Sequence, residues 1–173
     1  MSMEDRRKSG WTHLDTRGAA RMVDVSAKAE TAREARAEAL LCMRPETRQL
    51  FAEQALAKGD ALAVARVAGI MAAKRTSSLV PLAHPIGIEA VNIDFDFVEE
   101  GIRITARVRT RAATGVEMEA LTAVTVAALT LYDMGKAHER GMRITEVRLV
   151  EKIGGASGHW RAESRRADET DGE

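Results

Sequence analysis

The sequence has 173 residues, with 26 basic and 26 acidic side chains, so its formal net charge at pH 7 is zero. A neutral chain has no long-range attraction for nucleic acid or an anionic membrane, and any bound anion must be held by a local cluster of cations. The single cysteine, Cys42, cannot form an internal disulfide, and no apolar segment follows the charged N-terminus, so we expect a cytoplasmic protein without a secretory signal.

The two ends of the chain differ in composition from its centre. Residues 1–21 and 161–173 are polar and rich in charge, without apolar periodicity, which predicts a flexible N-terminal arm and a flexible charged tail. Residues 22–160 are long enough to bury a core of their own. We therefore expect one domain between two arms.

The segment from Arg33 to Met43 fits both a helix and a strand. Thr31 and Glu34 match a helix capping box, and alanine is a strong helix former. Small or apolar residues nevertheless alternate with polar ones through most of the segment, which is the period of a strand. We favour the strand.

Two helices are predicted next. Pro45 suits a helix start, and this helix is expected to reach Ala57 and end at Lys58-Gly59. Asp60 can then cap a second helix that reaches about Thr76. Lys58, just ahead of that helix, could hold an anion, although the Asp60 carboxylate would oppose it.

The second half of the chain predicts a hairpin, a helix and a strand. Apolar and polar residues alternate from Val91 to Phe97 and again from Ile102 to Arg109, which predicts a β-hairpin with acid facing base. The span 120–132 has no charged residue, so we expect a helix buried on all sides. A last strand is predicted from Arg143 to Val150. This order of elements favours an α+β sandwich with an antiparallel sheet packed against helices.

Charged residues stand at both ends of the uncharged helix. Glu117 and Glu119 in its first turn also fit a purely structural interaction with the helix dipole. Asp133 and Lys136, at i and i+3, also fit an ordinary intrahelical ion pair. Because the helix between them is apolar, we interpret both ends as parts of a functional site, since buried charges require partners.

A histidine lies in a loop between two prolines, in the segment Pro81-Leu82-Ala83-His84-Pro85. A lone histidine is more often a loop residue than a ligand. The sequence has no histidine-rich or cysteine-rich metal spacing, no glycine-rich phosphate loop and no GxSxG motif. No metal or cofactor is therefore expected.

Together these segments resemble the cyclic pyranopterin monophosphate synthase family, the molybdenum cofactor biosynthesis protein C. The resemblance covers 22–158 and leaves out only the two arms. The motifs that carry it are Met-Val-Asp-Val-Ser from Met22, Lys58-Gly59-Asp60, the Pro-Leu-Ala-His-Pro loop, Thr114 to Leu121, and Leu131 to Ala137. Several long motifs in one order make coincidence improbable.

The resemblance implies a ferredoxin-like fold, a hexamer made of dimers, and sites at a subunit interface. It implies conversion of 3′,8-cyclo-7,8-dihydroguanosine 5′-triphosphate into cyclic pyranopterin monophosphate and diphosphate. Carried over by motif, the catalytic residues are Asp133, Lys136 and Lys58. The substrate-binding residues so implied are Leu82, Ala83, His84, Glu117, Met118, Glu119 and Lys152.

Four positions depart from the family pattern. Ala83 stands where the family has cysteine, Gly135 stands where it has another cysteine, and Ala113 and Ala156 stand at commonly basic positions. An alternative function is therefore a non-catalytic oligomer that senses a nucleotide on the same fold. RNA binding is disfavoured, because Phe95 alternates with acidic residues rather than lying on a basic face.

Overall fold

The structure is a computed structural model that describes residues 18–163. The parts of the predicted arms at 1–17 and 164–173 lie outside the described residues. The strands are β1 (Thr31–Cys42), β2 (Ala90–Val98), β3 (Gly101–Ala112), β4 (Arg143–Ile153) and β5 (Trp160–Arg161). The helices are α1 (Pro45–Ala52), α2 (Ala61–Ala73), α3 (Thr76–Leu79) and α4 (Glu117–Gly135). The strand favoured at the start of the domain is thus confirmed.

The strands form one antiparallel sheet in the order β2-β3-β1-β4-β5. The first four strands, with α2 and α4 between them, have the connectivity of a ferredoxin-like βαββαβ unit. The predicted α+β ferredoxin-like sandwich is confirmed. In the hairpin Asp96 faces Arg103 as predicted, whereas Asp94 faces Thr105.

The core lies between one face of the sheet and the helices. Successive strand residues point to opposite faces, and alternate residues of β1 and β3 are completely enclosed. The buried rows are Ala35, Ala37, Ala39 and Leu41 on β1, and Ile102, Ile104, Ala106 and Val108 on β3. Because the β1 row is mostly alanine, α4 can approach the sheet closely.

Helices α2 and α4 also pack closely against each other. A Cβ atom added at Gly69 in α2 would lie 2.9 Å from the carbonyl oxygen of Ala123 in α4, and would also collide with the Ile93 side chain. Only glycine fits this helix crossing. The crossing fixes α4, and half of the predicted site residues lie at the two ends of this helix.

Two predictions about the helices were wrong. Helix α1 ends at Ala52 rather than Ala57, because Gln54 takes a left-handed conformation with φ 54° and the Ala55 amide donates back to the Leu50 carbonyl. Helix α4 is not buried on all sides, since Leu129 is 56% exposed. Asp60 does cap α2, although that helix ends at Ala73 and a separate turn, α3, begins at Thr76.

Within residues 18–163, no helix combines the length and the apolar character that crossing a membrane requires.

Candidate functional site

The C-terminal end of α4 carries a cluster of two lysines around one aspartate. The Lys136 ammonium lies 2.6 Å from Asp133 Oδ1, and the Lys58 ammonium lies 2.9 Å from Oδ2. Lys58 also donates to the Asp133 backbone carbonyl at 2.8 Å. The i, i+3 spacing of Asp133 and Lys136 predicted their contact. Lys58 is 75 positions from Asp133 in the sequence, so its contact with this residue depends on the fold.

The electrostatics of this lysine-aspartate cluster favour a bound anion. Hydrogen bonds from Lys136 and Lys58, and then their charges, lower the pKa of Asp133 to about 2. Asp133 is therefore ionised at neutral pH. The cluster still holds one more positive charge than negative, and about half of each side chain is open to solvent. An approaching phosphate would meet two ammonium groups already held in position.

The turn between α1 and α2 brings Lys58 to this place. Leu56 is buried, and Gly59 takes a φ of 88° while its amide donates to the Leu56 carbonyl. The chain then enters α2, where the Asp60 carboxylate accepts the Ala63 amide at 2.9 Å. That carboxylate occupies the helix N-terminus, so Lys58 faces α4 instead of completing an anion site on α2.

The N-terminal end of α4 carries a second group of predicted residues. The Lys152 ammonium lies 3.2 Å from Glu117 Oε1, and both side chains are mostly covered. Lys152 pairs with Ala35 in the sheet, so it points to the helical face. Met118 is 41% exposed.

Glu119 differs from the other carboxylates at this end of α4. Its exposed fraction is 4%, and burial, with a smaller contribution from the charge of Glu117, raises its pKa. The carboxyl groups at the two ends of α4 thus have pKa values shifted in opposite directions. The pKa of Asp133 is lowered and that of Glu119 is raised.

The third predicted group is the loop Leu82-Ala83-His84, whose side chains are partly buried. The Ala83 amide donates to the Val80 carbonyl at 3.0 Å, which closes a turn ahead of the histidine. His84 Nε2 lies 2.7 Å from the backbone carbonyl of Val23. Between residues 18 and 163, no hydrogen bond or ion pair joins this loop to either end of α4.

Arg33 is a charged residue close to the start of α4 that was not predicted from the sequence as part of the site. Its guanidinium donates to the carbonyls of Ala112 at 2.9 Å and Ala113 at 3.1 Å, just ahead of α4. A side chain at Gly155 would collide with it. Arg33 thus connects β1, the loop before α4 and the turn after β4. The available signal was a charge in a row of β1 whose following members are alanine and leucine.

A separate cavity of about 460 Å³ opens beside Arg33. It is lined by Ala32, Arg33, Glu34, Glu89, Ala90, Arg109, Thr110 and Ile153. None of the predicted site residues lines it. Within the described range, no three His, Cys, Asp or Glu side chains are grouped so that they could hold a metal ion.

The chain thus has a ferredoxin-like α+β fold. One end of its central helix carries the lysine-aspartate cluster and the other end carries a buried carboxyl group. This combination suits a protein that binds an anionic ligand and exchanges protons with it. The model of the MoaC family matches residues 22–155, and the chain belongs to that family.

Several curated relatives are similar to nearly the whole chain. Cyclic pyranopterin monophosphate synthase 3 of Mycobacterium tuberculosis is 57% identical over 162 residues, covering 93% of this chain and 92% of the relative. Cyclic pyranopterin monophosphate synthase of Methylobacterium sp. is 60% identical over 154 residues, covering 88% and 96%. The synthase of Thermomicrobium roseum is also 60% identical over 154 residues, covering 88% and 93%.

Proposed function

We propose that this chain is a cyclic pyranopterin monophosphate synthase of molybdenum cofactor biosynthesis. It would convert 3′,8-cyclo-7,8-dihydroguanosine 5′-triphosphate into cyclic pyranopterin monophosphate and release diphosphate. Family membership and the names of the relatives support this activity. The structural observation that carries it is the cluster of Lys58, Asp133 and Lys136, which offers two cations and an ionised carboxylate at one place.

The chemistry explains why such groups are needed. Closing a cyclic phosphate with loss of diphosphate builds negative charge on the leaving group, which lysines can neutralise. Rearranging the purine-derived ring requires proton donors and acceptors of different acidity. We assign Lys58 and Lys136 to proton transfer and phosphate neutralisation. Asp133 would orient the substrate and these two lysines rather than deprotonate the substrate, because its lowered pKa makes it a weak base.

The other predicted residues are assigned to binding. His84, Glu117 and Glu119 would hold the pterin-like ring and the sugar, with Leu82, Ala83 and Met118 beside them. Lys152 would neutralise a further phosphate charge. Burial raises the pKa of Glu119, so this carboxyl is a weaker acid than an ordinary one and, when ionised, a stronger base.

We further propose that two subunits share each site. Glu119 and Asp133 are fourteen positions apart in α4, which is roughly 21 Å of axial rise, with side-chain directions about 40° apart. One compact reacting centre does not easily bridge that distance. An antiparallel pairing of two chains would place the Glu119 end of one helix beside the Asp133 end of the other.

An exposed apolar surface on the helices supports this pairing. Large apolar side chains that remain 41–57% exposed line the outer side of α2 and α4: Val64, Val67, Met71, Met118 and Leu129. Rows of this kind mark protein contacts more often than free surface. We propose that a second copy of the chain covers them, in a cytoplasmic hexamer assembled from dimers.

The activity can be tested directly with purified full-length protein. Incubation with the cyclised nucleotide should release diphosphate and form cyclic pyranopterin monophosphate in equal amounts. Binding of the nucleotide without diphosphate release would instead favour the nucleotide-sensing alternative, which the alanines at 83, 113 and 156 leave open. Absence of both binding and release would contradict the proposed function.

A further inference from the structure

The contact between His84 and Val23 fixes the protonation pattern of the imidazole. His84 Nε2 lies 2.7 Å from the Val23 carbonyl oxygen, which has no hydrogen of its own to donate. Nε2 must therefore carry the proton. In the neutral ring the lone pair is then on Nδ1, and Nδ1 has no hydrogen-bond partner among residues 18–163. The ring is thus left with one free acceptor.

The segment that supplies this carbonyl is itself held in shape. We call residues 23–28 the N-terminal strap. The Ser26 amide donates to the Asp24 carboxylate at 2.9 Å, and the Lys28 amide donates to the Val25 carbonyl at 3.0 Å. The Ser26 amide also holds the pKa of Asp24 below its ordinary value, so this turn is present at neutral pH. Asp24 follows Val23 directly, and its turn therefore orients the carbonyl.

The histidine side of the contact is equally constrained. The turn from Val80 to Ala83 precedes His84, and Pro85 after it favours an extended backbone at the histidine. The contact joins positions 61 apart, so it ties the start of the domain to the predicted substrate loop.

We propose that Val23 is a positioning residue for His84: its carbonyl selects the Nε2–H tautomer and directs Nδ1 to accept a hydrogen bond from an N–H or O–H group of the ligand. This inference rests on the proposed function for the identity of the ligand and for the assignment of His84 to the binding site, whereas the tautomer itself follows from the contact with Val23. Orientation of an imidazole through the nitrogen that does not contact the ligand is a general means of setting which tautomer reacts.

The tautomer can be measured without any substrate. Long-range ¹H–¹⁵N NMR of the ligand-free, full-length protein with ¹⁵N-labelled histidine should show protonated Nε2 and unprotonated Nδ1 at His84, assigned with His84→Gln. Asp24→Ala should broaden this pattern into a mixture of tautomers, whereas Lys28→Ala, an exposed change in the same strap, should leave it unchanged. A predominant Nδ1–H form, or an unchanged pattern in Asp24→Ala, would overturn the proposal.

Two substitutions of His84 separate its two nitrogens. The amide of His84→Gln can still donate near the position of Nε2, so hydrogen exchange at the strap amides should stay close to wild type. His84→Ala removes the donor, and exchange across the strap should accelerate. Equal exchange in both variants would mean that the contact does not hold the strap.

Kinetics then connect the tautomer to the ligand. Asp24→Ala should raise KM by no more than about tenfold, which corresponds to one misaligned neutral hydrogen bond, while Lys28→Ala stays within about twofold of wild type. An active enzyme with the Nδ1–H tautomer would refute the positioning role alone. A protein with the expected tautomer but no turnover would refute the proposed function alone.

Discussion

The Lys58 ammonium donates two hydrogen bonds to Asp133, one to the carboxylate at 2.9 Å and one to the backbone carbonyl at 2.8 Å. The second contact matters because the carbonyl belongs to the last turn of α4, where backbone acceptors remain unpaired. Lys58 thus satisfies the end of the helix as well as the charge beside it. An ammonium group held in this way is oriented before any substrate arrives, which lowers the cost of positioning it during catalysis.

Removing either Asp133 or Lys136, at the C-terminal end of α4, should strongly reduce turnover. Asp133→Asn and Lys136→Ala are each expected to lower kcat by about 10²-fold to 10⁴-fold, the usual cost of losing a proton-transfer group, because Lys136 is assigned to proton transfer and Asp133 holds it in place. Both side chains are about half exposed, so the fold and assembly should survive. Steady-state kinetics with saturating nucleotide measure the effect.

Matched controls exist for both variants. Asp96→Asn on β2 and Lys28→Ala ahead of β1 change exposed residues of the same types away from both ends of α4, and both should stay close to wild-type rates. Near-normal turnover in Asp133→Asn or Lys136→Ala would show that the assigned group takes no part in the reaction.

The raised pKa of Glu119 predicts a pH-dependent stability difference. A buried carboxyl with a raised pKa favours the folded state below its unfolded pKa, and that contribution is lost as the pH rises through the folded pKa. Glu119→Gln stays neutral and avoids this loss. The Tm of Glu119→Gln minus that of wild type should therefore grow from pH 4 to pH 8, whereas a difference that is constant with pH would show that Glu119 ionises without penalty.

Restoring the family cysteine at Gly135 should damage the protein. A Cβ atom at this position would lie 2.8 Å and 2.9 Å from two ring carbons of Phe51 and 3.0 Å from the end of Met142. The Phe51 ring already fills the space that a side chain would need. We expect Gly135→Cys to reduce the free energy of unfolding by about 1–3 kcal/mol, the usual cost of overpacking, in urea denaturation.

A double mutant tests the cause of that loss. Phe51→Leu shortens the obstructing side chain, so its effect and that of Gly135→Cys should be less than additive. Strict additivity would mean that the ring is not what excludes the cysteine, and that another feature of the helix end requires glycine.

Restoring the other family cysteine should be harmless. Ala83 is partly buried, and its described hydrogen bond is made by the backbone amide, so a thiol at this position breaks no side-chain contact. Ala83→Cys is expected to keep kcat/KM at or above the wild-type value. A large loss of kcat/KM would indicate that this loop is built differently from those of its relatives.

The sequence was sufficient for the elements with a strict period and insufficient where distant segments meet. The hairpin of β2 and β3 follows from alternation alone, and the contact of Asp133 with Lys136 follows from helix geometry. The left-handed Gln54 that ends α1 gives no such signal, because glycine or asparagine usually marks that conformation. Arg33 was overlooked because its partners are backbone carbonyls, which sequence does not distinguish.

The exposure of Leu129 explains why the burial of α4 was predicted wrongly for the single chain. The uncharged segment correctly indicates an apolar environment, but a sequence does not tell whether its own fold or a second copy supplies that environment. If a partner subunit covers the helix, the burial that the sequence implies is completed in the assembly.

Subunit mixing tests the shared site. If each site takes Glu119 from one chain and Asp133 from its partner, a dimer of Glu119→Ala and Asp133→Ala chains has one intact site and one doubly defective site. Random pairing of equal amounts puts half of the chains into mixed dimers. The mixture should therefore recover about a quarter of the wild-type rate per chain, although each variant alone is inactive. Turnover is measured after subunit exchange, with mass spectrometry to count mixed dimers.

The control pairs two changes at the same end of α4. Asp133→Ala mixed with Lys136→Ala should recover nothing beyond the two separate residual rates if each site takes both residues from one chain. The 2.6 Å contact between these side chains within a single chain motivates that expectation. Equal recovery in both mixtures would indicate a general effect of mixing rather than a shared site. No recovery with Glu119→Ala, despite proven mixed dimers, would place both carboxyl groups in one chain's pocket and refute the antiparallel arrangement.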